Sequence, residues 1–532
     1  MLSAYCQIKT FSQIKKTIKE WCVIFCKINS GAISGICAYP VSVEADIGNG
    51  LPNFSMVGLL SSEVKESRER VRSAIRNSGF VVPPKRITIN LSPADIRKEG
   101  SYFDLPIAVG ILVSLGIVPR ENVQDTMFAG ELSLDGTLKG VNGILSITLL
   151  AKELGIPRII VPQGNAKEGA AVRGVDVIGA GSLKETVAML NNPEMAYPEA
   201  FDCVTSLDPL KNEYGLEFAD ICGQETAKRA VEIAVAGMHN ILMIGPPGSG
   251  KSMIANCMPT IFPEMTYEEI IEITRIYSTM GLMEKQNMIR NHPFRAPHHT
   301  ITAQALVGGG RIPKPGEVTL AHKGMLFLDE LPEYSRSALE TLRQPLEDQK
   351  VNIARDKASH EFPADFMLAA AMNPCPCGYY PDKARCSCTQ YNINKYSEKI
   401  RGPLLDRIDI CIYMNPVKIN LLQKDGRTAS SAEMKSRIEK AREMQRMRYE
   451  DTGICFNSRL KASYIKEYCP VPENCQKLLS DSYERLGLSA RAYHKIVKVA
   501  RTIADLDGET EIRREHILEA IAYRNTIKEK GL

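Results

Sequence analysis

Several absences narrow the reading of this sequence before any motif is considered. No uninterrupted apolar run approaches the roughly 18 to 20 residues that span a bilayer, so an integral membrane protein is excluded. There is no internal repeat and no low-complexity tract. Charge of one sign is also missing. The net charge is only +4 over 532 residues, so any nucleic-acid contact has to come from local basic loops rather than a cationic body. No export signal is expected either. Lys15, Lys16 and Lys19 precede an apolar stretch, Trp21 to Cys26, that is too short for a signal core and has no small-residue cleavage site after it. The fifteen cysteines, an odd and scattered set, are therefore expected to be reduced thiols of a cytoplasmic protein. What is present is a composition, 44% hydrophobic and 24% charged, that can bury enough apolar surface to fold. The length implies two to four domains, at about 150 residues each.

Residues 1–28 are lysine-rich, differ in pattern from the rest of the chain, and receive no function. From 29 to 190 the pattern alternates β-like runs (Val41 to Val43, Arg86 to Leu91, Arg158 to Val161, Val175 to Ile178) with helical ones (Ser62 to Ser78, Pro106 to Leu115, Ile144 to Leu154), which predicts an α/β domain. Residues 191–217, with Pro193, Pro198 and Pro209, read as a linker. A second α/β unit is expected over 218–416. The remainder, 417–532, is expected to be an all-helical lid, carried by Ser430 to Tyr449 and Asn474 to Asn525. The mixed charges Lys435, Arg437, Glu439, Lys440, Arg442 and Glu443 read most simply as a solvated helix face.

The strongest local signal is GPPGSGKS: Gly245, Pro246, Pro247, Gly248, Ser249, Gly250, Lys251 and Ser252, preceded by the apolar run Ile241 to Ile244. A glycine-rich loop between strand and helix can wrap phosphate oxygens with backbone N–H groups, and the helix N-terminus adds positive potential. Lys251 would reach the β and γ phosphates of ATP and Ser252 would hold Mg²⁺. Further on, Met325 to Leu328 form a buried-strand run that delivers Asp329 and Glu330. Asp329 would bind Mg²⁺ through water, and Glu330 would polarise the attacking water. The two strands are expected to be neighbours in one parallel sheet. A third strand, Phe366 to Met372, ends in Asn373, which is placed to orient that water and sense the γ-phosphate or else is a strand-end turn residue. Arg401 and Arg407 follow in IRGPLLDRIDI, where an arginine can serve a neighbouring subunit's phosphate if the chain forms a ring.

With LSARAYHKI at Leu488 to Ile496, these motifs resemble the Walker A, Walker B, sensor 1, arginine finger and sensor 2 of AAA+ ATPases. The long interval before the Walker B strand resembles the helix-2-insert clade. FRAPHHT (Phe294 to Thr300), GEVTLAHKGMLFLDELPE (Gly316 to Glu333), LRQPLE (Leu342 to Glu347) and AAMNPCPCGY (Ala370 to Tyr379) resemble the YifB/ComM family of magnesium-chelatase-like ATPases. The resemblance covers Ser34 to Asn525. It implies an α/β fold with an AAA+ P-loop core, a helical lid and an amino-terminal Lon-protease-like domain. It makes Arg407 the finger and Arg491 sensor 2, and it puts FADICGQ (Phe218 to Gln224, including Ile221 and Gly223) along the adenine.

KEGSYFDLPIA (Lys98 to Ala108) and GELSLDGTLKGVNGI (Gly130 to Ile144) resemble the Lon protease fold, whose peptidases need a serine and a lysine. Here Tyr102 stands in the serine position, with Ser101 adjacent, and Leu145 in the lysine position. The domain is expected to be catalytically silent, an interaction or DNA-facing module. Cys375, Cys377, Cys386 and Cys388 form two C-x-C pairs eight residues apart, which suits structural Zn²⁺, with free thiols or a redox pair as the other reading. His298 and His299 read as structural residues, with ligand or phosphate contact as the alternative.

The expectation is a homohexameric ATPase that binds single-stranded or branched DNA and moves strands, by family resemblance as branch migration in recombination. The DNA contacts would come from Gly308, Gly309, Gly310 and Arg311 and from Val351 to Lys357, which resembles a presensor hairpin carrying Arg355 and Lys357. A plain surface loop is the alternative reading of each segment. A chelatase-type motor that remodels a protein partner for metal insertion is the rival. An ATP-dependent protease is opposed by Tyr102 and Leu145.

Overall fold

Alternation of apolar and polar residues builds the longest strand of the first sheet. In β2 (Cys37–Gly48), Val41, Val43, Ala45 and Ile47 all turn into the core, as the two-residue period of a half-buried strand demands. The computed structural model describes residues 25–201, 215–283, 288–310, 313–355, 358–400, 404–417, 429–486 and 489–529. The chain divides into two units, Met1–Leu207 with Thr274–Met288, and Asp208–Ile273 with Ile289–Leu532.

In the first unit β1 (Cys26–Ser34), β2, β3 (Asn53–Val57), β4 (Arg86–Ser92), β5 (Thr126–Phe128), β8 (Arg158–Pro162) and β9 (Asp176–Ala180) form one seven-stranded sheet in the order β3-β4-β2-β1-β5-β8-β9. A small hairpin, β6 (Glu131–Leu132) with β7 (Leu138–Lys139), stands apart from that sheet. β1, β3 and β5 were not among the expected strands. β1 begins at Cys26, so Cys26 to Ile28, read from sequence as extension, belong to the sheet, with Cys26 and Ile28 fully buried. The helix Asp104–Ser114 is apolar nearly all round and buried along its whole length, as such a composition requires. Thr274–Met288, taken from sequence as part of the ATPase core, joins this unit: Arg275 Nε donates to the Ile36 carbonyl at 2.9 Å and Ser278 Oγ to Glu168 Oε1 at 2.5 Å.

The second unit is centred on five parallel strands. These are β10 (Ile241–Ile244), β11 (Phe294–Arg295), β14 (Met325–Leu328), β17 (Met367–Met372) and β18 (Ile410–Tyr413), in the order β11-β14-β17-β10-β18. β10, β14 and β17 are buried at every position, the signature of a parallel sheet covered on both faces. One expectation is overturned here: β10 and β14 are not neighbours, because β17 pairs with both and lies between them. A later strand inserted by a crossover leaves no trace in the local sequence of the two it separates.

Two hairpins project from this unit, β12 (Gly308–Gly309) with β13 (Lys314–Pro315), and β15 (Lys350–Arg355) with β16 (Ala358–Pro363). The lid is helical as expected, with Ser431–Arg448, Glu473–Leu486, Ala490–Leu506 and Arg514–Glu529 as its main elements. Its charged helix is not a plain solvated face. Arg437 Nε meets the buried Glu232 at 2.5 Å, and the Arg442 guanidinium lies 3.9 Å from the centre of the Phe456 ring. No helix among the described residues is long and apolar enough to cross a membrane.

Candidate functional site

Parallel strands point their carboxyl ends the same way, so β10, β14 and β17 deliver their downstream residues to one edge of the sheet. β10 ends at Ile244, the loop Gly245–Gly250 turns, and a helix starts at Lys251. Gly250 has φ of +89°, a left-handed conformation that lets the chain turn sharply into the helix. Lys251 Nζ donates to the carbonyls of Gly245 (2.8 Å) and Pro246 (3.1 Å) and to Asn373 Oδ1 (3.2 Å). Burial pushes its pKa down, and the nearby Asp329 carboxylate opposes that shift. Ser252 Oγ donates to Asp329 Oδ2 at 2.6 Å, and the Glu330 amide donates to Asp329 Oδ1 at 2.8 Å. Lys251, Ser252, Asp329, Glu330 and Asn373, five residues from three strands, thus converge.

Three contacts of this site go beyond the sequence reading, although Gln224 lies in the stretch Phe218 to Gln224 already assigned to adenine. Glu330, at φ +52°, carries its carboxylate to His299, whose Nδ1 lies 3.2 Å from Oε2. His299 follows β11, so the signal lay in FRAPHHT, where the histidines were read as structural. Gln224 Nε2 donates to the carbonyls of Ser249 (3.1 Å) and Asn415 (2.7 Å), tying the start of the helix Glu225–Gly237 to the phosphate loop. It adjoins Ile221, which is buried and accepts from Lys228 Nζ at 2.6 Å, and Gly223, which has φ of +66°. The third is Gly378, at φ +88°: a Cβ there would stand 2.6 Å from Pro247 Cδ. The cysteine loop therefore touches the phosphate loop, and only glycine permits the approach.

Cys375, Cys377, Cys386 and Cys388 place their sulfurs within 4.8 Å of one another. Cys375 lies 3.3 Å from Cys377 and 3.7 Å from Cys386, and Cys377 lies 3.5 Å from Cys386. A tetrahedron with Zn–S bonds of about 2.3 Å has edges of about 3.8 Å, so the donor set and its size both fit zinc. None of the described cysteines is disulfide-bonded.

Arg407 and Arg491 are not brought to the phosphate loop. Asn240 Nδ2 donates to the Arg407 carbonyl at 2.8 Å, and Asn240 precedes β10, whereas the phosphate loop follows it. Five residue steps, from Asn240 through β10 to Gly245, separate the two ends by roughly 16 Å, more than an arginine side chain spans. Arg407 Nη2 pairs instead with Glu347 Oε1 at 2.6 Å, and Arg491 Nη2 approaches the same oxygen at 3.7 Å. Of the other expected contacts, Arg311 and Lys357 lie outside the described residues. Arg355 ends β15 opposite Ala358; its side chain also lies outside them.

In the first unit, Tyr102 is buried and its hydroxyl accepts from the Ile33 amide at 3.1 Å. Leu145 is fully buried, and Ser101 Oγ donates to Glu131.

Comparison with known families agrees with this geometry. Residues 217–422 match the family described as magnesium chelatase, subunit ChlI; residues 43–165 match subunit ChlI of Mg-chelatase; and residues 428–524 match the subunit ChlI C-terminal family. Competence protein ComM of Haemophilus influenzae is 42% identical over 94% of this chain and 97% of its own length. The YifB protein of Salmonella typhimurium is 40% identical over 93% and 96%. Lon protease 2 of Bacillus subtilis is 26% identical over 39% of this chain and 42% of its own. A parallel-sheet core matched by such relatives over 93–94% of the chain has one meaning: the chain belongs to the ComM/YifB family of magnesium-chelatase-like AAA+ ATPases.

Proposed function

We propose that this protein is a ring-forming, homohexameric motor that binds single-stranded or branched DNA and couples ATP hydrolysis to strand movement, serving branch migration in recombination. The observation that carries the ATPase part is the convergence of Lys251, Ser252, Asp329 and Asn373 on one sheet edge. Lys251 holds the β and γ phosphates, its amine moving from loop carbonyls to phosphate oxygens. Ser252 and Asp329 supply the hard oxygen ligands suited to Mg²⁺, which neutralises charge on the phosphates when bound. Asn373 orients the attacking water, and Glu330, once released from His299, polarises it. Gln224 binds the phosphate loop at the Ser249 carbonyl, and the adenine is assigned to its chain neighbours Ile221 and Gly223. Arg407, held at the far end of β10, serves the γ-phosphate of a neighbouring copy.

The DNA part is supported by full-length similarity to a protein named for competence and by the two hairpins, β12–β13 and β15–β16. Zinc on the four cysteines would order the loop between Asn373 and Arg407. The first unit acts as an interaction module and not as a peptidase, since a hydroxyl nucleophile needs a base and Leu145 offers none. Forked DNA should stimulate ATPase activity and be resolved only with hydrolysis, so Glu330→Gln should bind DNA without moving it. The chelatase-type reading, supported by the family match over 217–422, predicts stimulation by a protein partner and indifference to DNA. If neither single-stranded nor forked DNA binds at low salt or alters turnover, that reading replaces ours.

A further inference from the structure

Three elements far apart in sequence meet at one carboxylate. Glu347 lies on the helix Arg343–Asp348, Arg407 on the turn Leu405–Arg407, and Arg491 at the start of the helix Ala490–Leu506. Glu347 Oε1 is 2.6 Å from Arg407 Nη2 and 3.7 Å from Arg491 Nη2. Two guanidiniums so close repel each other, and a single carboxylate between them removes that cost while leaving the trio net positive. The Arg407 side chain is only 14% exposed and its backbone is fixed to Asn240, so it is set in place rather than free to swing. Glu347 and Arg491, at 48% and 69%, lie open to whatever docks there.

We propose that Glu347 is a positioning residue for ATP hydrolysis: it gathers Arg407 and Arg491 onto one carboxylate, so that both reach the same γ-phosphate bound by an adjacent copy of this chain. The inference rests on the reading that hydrolysis sites are shared between copies. Glu347 touches no nucleotide. It acts by setting the spacing and direction of the two arginines, so its loss lowers turnover and leaves binding to the phosphate loop of its own chain alone.

The test uses full-length Glu347→Gln, which keeps the size of the side chain and removes the charge. Turnover should fall tenfold or more, with KM and the affinity for a fluorescent ATP analogue within about twofold of wild type. Arg407→Ala should lose about 10³-fold, and adding Glu347→Gln to it should cost clearly less than Glu347→Gln costs the wild type, because only Arg491 is then left to position. Mixed assemblies supply the second readout. Glu347→Gln mixed with Lys251→Ala should regain turnover, since some interfaces then pair an intact arginine side with an intact phosphate loop. Glu347→Gln mixed with Arg407→Ala should regain none, both defects lying on the same side. The control, Arg407→Ala with Lys251→Ala, isolates the underlying reading: if it fails to recover in demonstrated mixed rings, site sharing is wrong and the proposal falls with it. If the control recovers, the proposal is overturned on its own by wild-type turnover in Glu347→Gln, by losses that multiply in the double variant, or by recovery in the Glu347→Gln and Arg407→Ala mixture.

Discussion

Replacing Gly378 with alanine probes the contact between the cysteine loop and the phosphate loop. At φ +88° a Cβ-bearing residue is strained by about 1–2 kcal/mol. The new Cβ would also stand 2.6 Å from Pro247 Cδ and 2.8 Å from Cγ. Ordinary carbon contacts are about 3.5–4.0 Å, so roughly 1 Å has to open, and overpacking of that kind costs about 1–3 kcal/mol. The sum, about 2–5 kcal/mol, must be absorbed by the phosphate loop or by the thiolate cluster. If only about 2 kcal/mol opposes nucleotide binding, Kd rises roughly 30-fold. Titration with a fluorescent ATP analogue, zinc analysis and calorimetry would follow all three consequences. The double variant Gly378→Ala with Pro247→Ala removes the colliding ring atoms and should recover the steric part, leaving only the backbone strain. Wild-type nucleotide affinity, zinc content and melting temperature in Gly378→Ala would refute the contact between the two loops.

Purified protein should carry one zinc per chain, and Cys386→Ser should lose it together with part of its thermal stability; metal-free protein prepared under reducing conditions would remove the zinc reading. Lys251→Ala should abolish nucleotide binding while Glu330→Gln binds without hydrolysing, and equal activity in Glu330→Gln would displace Glu330 from its role. Burial holds the Lys498 amine down at about 8, against the opposing pull of Asp409. The folded state therefore binds fewer protons than the unfolded chain between about pH 8 and 10.5, and this lysine's contribution to stability rises with pH across that window. Lys498→Met should lack the rise and should be more stable at pH 7 by roughly 3 kcal/mol; identical pH slopes in calorimetry for the two proteins would count against it. Asp505 is buried between Arg501 and Arg448, so Asp505→Ala leaves two cations uncompensated and should destabilise the lid by about 3–5 kcal/mol, measured by denaturant titration.

Much of the candidate site's geometry was legible in the linear sequence because its parts obey local rules. A phosphate loop needs glycines at fixed offsets between a strand and a helix, and Asp329 and Asn373 each end an apolar run whose length already marks a buried parallel strand. Four cysteines within fourteen residues likewise need only a short loop to meet. Nothing local shows that β17 separates β10 from β14, since strand order is set by how crossovers pack and not by the residues of either strand. β1 was missed because its first residues run on from a lysine-rich stretch, and its pairing with β2 supplies the missing half of the pattern. The pairing of His299 with Glu330, the contact of Gly378 with Pro247 and the meeting of Arg407 and Arg491 on Glu347 join residues from 31 to 144 positions apart. Composition and periodicity describe what each segment buries. Which polar side chains then face one another is decided only when the segments pack, because a charge or a hydrogen-bond donor is indifferent to sequence distance and acts over a few ångströms of space.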